Sequence, residues 1–88
     1  MKIPKRLKIL GHIVTVRETE DMEDCGQFDV DKNEIRIRKQ LSQSQKEEAL
    51  IHEILGMANP TFHSEHHSLL EALAQTIYQA LADNHLLK

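Results

Sequence analysis

Residues 27–38 alternate apolar and polar side chains on both sides of a short polar break, and this period of two constrains the chain more than any other feature. Successive side chains on a strand point to opposite faces, so Phe28 and Val30 before the break and Ile35 and Ile37 after it share one face of a hairpin. With Lys32-Asn33 as a two-residue turn, Val30 faces Ile35, Phe28 faces Ile37 and Asp29 stands opposite Arg36. Charge and apolar pairing then agree on one register. Asn33 tolerates the positive φ that such turns require.

The flanking segments supply the remaining elements. Residues 7–17 are rich in β-branched and aliphatic types, interrupted by Gly11, and read as one kinked strand with a bulge or bend at the glycine. Ser42 and Ser44 each have Gln45 or Glu47 three residues on, a capping-box pattern that starts a helix near residue 43 or 45. That helix runs to about Ala58, where Asn59-Pro60 closes it. A second helix is expected after Ser64, reaching about Asp83-Asn84, with Leu70, Leu73, Ile77 and Leu81 as its buried stripe. The expectation is one α+β domain over residues 1–88, a small antiparallel β-sheet (kinked strand plus hairpin) packed on two α-helices. Its shared core comprises Phe28, Val30, Ile35, Ile37, Leu50, Ile54, Leu70, Leu73, Ile77 and Leu81. A chain of 88 residues encloses one core, and chains of that size bury only about 60% of their unfolded surface, so stability is modest.

Composition narrows the functional classes. Eleven basic against 14 acidic side chains argue against a dedicated nucleic-acid binder. The basic stretch Lys2 to Lys8 reads as a solvated end, and the acidic run Glu18 to Asp24 as a loop. Cys25 is the single cysteine and cannot form an internal bridge. With no signal-peptide pattern and no apolar run approaching the roughly 20 residues of a membrane span, a cytoplasmic protein without a membrane partner is expected.

One constellation carries chemistry. At about 100° per residue, Leu50, Ile51, Ile54, Met57 and Ala58 gather on one side of the first helix, whereas His52 and position 56 lie together on the other with Glu53 beside them. Metallopeptidases place two metal ligands at that four-residue spacing, with a general-base glutamate next to the first. Here the later position is Gly56. A glycine in mid-helix costs about 1 kcal/mol relative to alanine, which leaves three readings: a close contact, an open ligand position, or drift from a ligand. His63, His66 and His67 follow. His67 shares a face with Glu71, whereas His63 and His66 read as loop residues in contact with water.

These residues resemble a known group. The segments Ile9-Leu10-Gly11, Asp24-Cys25-Gly26 and Ile35-Arg36-Ile37, then Gln45 to Ile54 around His52-Glu53-Ile54, and finally Leu70, Leu73-Ala74 and Tyr78 to Asn84, look like the short zincin-like, metallopeptidase-like domains of phages and prophages. The resemblance covers most of the chain. It implies a sheet packed on two helices, zinc held by His52 and His67 with Glu71 as third ligand or orienter, Glu53 as general base, and a peptide or protein as substrate or partner added along strand 34–38. It also implies a bacterial host cytoplasm. Because Gly56 replaces a ligand, and catalytic zinc sites generally use three protein ligands, the expected function is a degenerate, inactive metallopeptidase serving as a binding module. An active minimal zinc peptidase and an unrelated small regulatory protein are the alternatives.

Overall fold

A computed structural model describes residues 2–84, the side chain of Phe62 excepted. Four strands come first: β1 (Arg6–Ile9), β2 (His12–Thr19), β3 (Gly26–Asp29) and β4 (Glu34–Arg38). Three helices follow: α1 (Gln43–Ala58), α2 (Pro60–Glu65) and α3 (His67–Asp83). The fold is a small α+β layer structure, as expected. Its sheet is mixed, with order β1-β2-β4-β3, because β4 inserts parallel to β2 while the other pairs are antiparallel. β4 is therefore central, and the free edge on its side of the sheet belongs to β3. The expected docking strand 34–38 has no free edge to offer.

The segment read as one kinked strand is a hairpin. Ile9 pairs with His12 across Leu10 and Gly11, which hold φ of 51° and 83°. Positive φ at both central residues is the two-residue turn whose twist matches paired strands. Leu10 is an unusual occupant of that position, and it is 76% exposed.

The second hairpin keeps its expected faces but shifts register by two residues. Phe28 pairs with Ile35, Gln27 with Arg36 and Asp29 with Glu34. Its loop is longer than a two-residue turn. The Asn33 N–H donates to the Val30 carbonyl at 3.3 Å, the Asp29 carboxylate accepts from the Lys32 N–H at 3.1 Å, and Asn33 adopts φ of 50°. A shift of two preserves the side-chain faces, so Ile35 and Ile37 are both fully buried. Val30, now in the loop, is 49% exposed.

Val14 and Val16 of β2 join Ile35 and Ile37 beneath Ala49 and Leu50 of α1 to form the core, with Phe28, Ile54 and Met57 packed against it. The opposite sheet face carries Arg17, Glu34 and Arg36, linked by ion pairs of 3.5 and 3.6 Å. Exposed pairs of this kind add little stability.

α1 begins as expected. Ser42 is its N-cap, and in a complete capping box the Gln45 N–H donates to the Ser42 hydroxyl while the Ser42 N–H donates to the Gln45 side chain. Its end departs from expectation. Pro60 stops α1 but also opens α2, because proline at a first helical position gives up an N–H that no helix uses. The Asn59 carbonyl accepts the His63 N–H at 3.0 Å as the first bond of that turn. Residues 60–65, read as a linker, are thus a short helix folded back on α1.

α3 docks on α1 through Leu70 and Ala74, the buried residues of its stripe. Leu73 and Ile77, expected in the core, are 44% and 39% exposed, so the contact stripe lies about one residue away from the assumed one. A polar clasp reinforces it: the Tyr78 hydroxyl donates to buried Glu47 at 2.8 Å. Burial pulls the Glu47 carboxyl up in pKa, but hydrogen bonds from Tyr78 and Gln43 outweigh it and leave the group below its ordinary value.

Candidate metal centre

The cleft between β3, α1 and the α2–α3 corner is about 530 Å³ in volume and is lined by His52, Glu53, His63, His67, Glu71 and residues 24–28. α1 presents His52 and Glu53 to it. α2 delivers His63, and α3 delivers His67 in its first turn. Their imidazole rings form a near-equilateral triangle, with centroids 5.4, 5.0 and 5.1 Å apart for His52–His63, His52–His67 and His63–His67. One ligand atom from each lies within 4.8 Å of the others. A tetrahedral zinc with bonds of about 2.0–2.1 Å separates its nitrogens by roughly 3.3 Å, so the donors lie within about 1.5 Å of the spacing an ion would impose. Among the described residues this is the group of at least three His, Cys, Asp or Glu side chains able to hold one ion.

The sequence left Gly56 with three readings, and a close contact is what the fold contains. A Cβ built there would lie 2.7 Å from His63 Cδ2 and 2.7 Å from Phe28 Cε1. The His63 ring occupies the space that a side chain at 56 would fill, and it stacks edge-on against Phe28 at 4.9 Å. His63, expected to be a solvated loop residue, is thus a member of the cluster. Its only sequence signal was Pro60, which opens a helix as readily as it ends one. His66 is exposed and lies outside the cluster. Glu71 lines the same cleft and its charge favours the protonated form of His52. It is not among the mutually close donors.

Electrostatics favour metal-competent imidazoles. Burial, then the charges of His67 and His63, lower the His52 pKa; burial and then His67 do the same for His63. The neutral form that binds metals is therefore favoured. Glu53 is 4% exposed, and its carboxylate approaches His52 Nε2 at 3.9 Å. It is wedged against β3, where a Cβ at Gly26 would meet its Oε2 at 2.9 Å. Burial, and secondarily the charge of Asp24, raise its pKa to about 7. A carboxylate tuned to that range can take and return a proton at neutral pH.

Comparison with family models, with curated proteins and with solved structures finds no match. No helix among the described residues is long and apolar enough to cross a membrane.

Proposed function

We propose that this chain is a minimal metal-dependent hydrolase acting on peptides, with His52, His63 and His67 as the metal ligands and Glu53 as the general base. The observation that carries the reading is the convergence of three imidazoles and one buried carboxylate in a single cleft. Three protein ligands with an open remaining position are the donor set of a catalytic zinc site, whereas two would be too few. A third imidazole at His63 is what favours this reading over a degenerate binding module. Imidazoles suit zinc, copper, iron and nickel, and three histidines with an open position are a ligand set of catalytic zinc. When bound, it would supply Lewis acidity towards a carbonyl and towards water.

The chain's own residues would do the rest. Glu53 accepts the proton of the attacking water and passes it to the leaving amine, a role for which a pKa of about 7 is suited. Glu71, beside His52, helps orient that imidazole. β3, as an edge strand along the cleft, offers main-chain groups to an extended peptide. The likeness to phage and prophage zincin-like domains, with its bacterial cytoplasmic setting, belongs to the same proposal.

Calorimetric zinc titration of the untagged protein tests it, with cobalt absorption reporting coordination. His63→Ala should weaken binding by about a hundredfold or more. Peptide hydrolysis should vanish with a chelator and with Glu53→Gln. Equal affinity of wild type and His63→Ala would overturn the ligand set. Metal binding without hydrolysis would leave a binding module.

A further inference from the structure

The same cleft has a charge asymmetry that the metal reading does not use. It is lined by four carboxylate side chains, Asp24, Glu48, Glu53 and Glu71, and by no lysine or arginine, although the chain carries 11 basic residues. Glu53 lies beside His52, and the charge of Glu71 acts on it. Asp24 and Glu48 are not among the groups that shift His52 or His63. Glu48 lies one helical turn before His52 on α1, about 6 Å along the axis, and among the described residues its carboxylate makes no hydrogen bond or ion pair, though its charge reaches Tyr78. Asp24 stands just before β3, where its carboxylate accepts from Gln27 at 3.3 Å and its charge reaches Glu53.

β3 and α1 run in the same sense along the cleft: Gly26 abuts Glu53, and Phe28 abuts Gly56. On that register Asp24 and Glu48 fall towards the end of the cleft away from Phe28, with the charge of Asp24 also reaching Glu53 and that of Glu48 reaching Tyr78 on α3. A divalent ion held by the imidazoles would add its charge at their end of the cleft and place no basic group beside Asp24 and Glu48. The Glu53 side chain, 4% exposed, also lines this cleft, and among the described residues its carboxylate makes no hydrogen bond and has His52 Nε2 beside it at 3.9 Å. A residue in an extended peptide advances about 3.3 Å, so a side chain one or two residues from the bond over the histidines reaches the distal pair.

We infer that the cleft selects peptides with a lysine or arginine within two residues of the bond held at the histidine cluster, through Asp24 and Glu48. This rests on the peptide-hydrolase reading for its ligand class, but its test is independent of hydrolysis. Three fluorescein-labelled octapeptides of otherwise identical sequence, with a central pair of Arg, Gln or Glu, would be titrated by anisotropy into zinc-loaded Glu53→Gln protein. The Arg peptide should bind about tenfold or more tighter than the Glu peptide, and the ratio should shrink in 0.5 M salt. In Asp24→Asn/Glu48→Gln, added to the same background, the ratio should fall to within about twofold. Equal affinities, no binding of any peptide up to about 1 mM, or a preference untouched by the double variant would each overturn it. Cobalt spectra of the same samples separate the two ideas. An intact metal spectrum without charge preference sinks only this inference, whereas a preference in protein that binds no metal sinks only the hydrolase reading.

Discussion

The two sides of α1 are both buried and are built by opposite means. Towards the sheet, Ala49 and Leu50 close on Val14, Val16, Ile35 and Ile37 in an apolar cluster. Towards β3 and α2, the same helix buries Glu53 and the backbone of Gly56 beneath the His63 ring. The first side gains by removing apolar area from water. The second accepts a carboxylate that makes no hydrogen bond among the described residues and a glycine in mid-helix, both of which cost stability. Such a cost is expected where a site, rather than the core, sets the residue.

The sharpest way to break this contrast is on the apolar side. Ile35→Ala should cost about 3–4 kcal/mol, since it deletes a fully buried side chain from a tight core. In a domain this small the variant should be largely unfolded by chemical denaturation. Leu73→Ala, at a residue 44% exposed, is the control and should cost well under half as much. Equal losses would mean that α3 is turned differently on α1.

A smaller effect, with a pH signature, is expected on the polar side. Folded Glu53 keeps its proton up to about pH 7, against an ordinary value of 4.5. Between those values the native state binds the extra proton, so stability falls as pH rises through the window, by up to about 3 kcal/mol. His52 and His63 act in the reverse direction. Their lowered pKa values make the unfolded chain the better proton binder below about 6.5, so their contribution is lost as pH falls. In metal-free protein, Glu53→Gln should therefore stabilise by about 2 kcal/mol at pH 8 and by almost nothing at pH 4.5. Thermal denaturation showing the same gain at both would mean that the carboxylate is not buried as described.

The subtlest test joins the two sides. Gly56→Ala gains about 1 kcal/mol of helix propensity but drives a methyl into the His63 and Phe28 rings. Overpacking of that kind costs about 1–3 kcal/mol. Net stability should change little, while zinc affinity should fall about tenfold as His63 is displaced. Gly56→His should likewise weaken binding rather than add a ligand. Tighter zinc binding in either variant would restore the reading of Gly56 as an open ligand position.

Local signals set much of this protein by themselves. The Ser42–Gln45 box, the alternation through Ile35 and Ile37, and the placing of His52 and Glu53 together on α1 each depend on residues within one or two turns, so periodicity and capping chemistry reveal them. Register, strand order and the third histidine were decided by tertiary structure. The hairpin register turned on a four-residue loop that a bare Lys-Asn pair does not announce, and β4 could move between β2 and β3 because strand partners separated in sequence leave no local trace. His63 joined the cluster only because α2 folds back over a glycine. A vacancy at Gly56 and a ring from seven residues further on look unrelated in one dimension; close packing in three makes each the reason for the other.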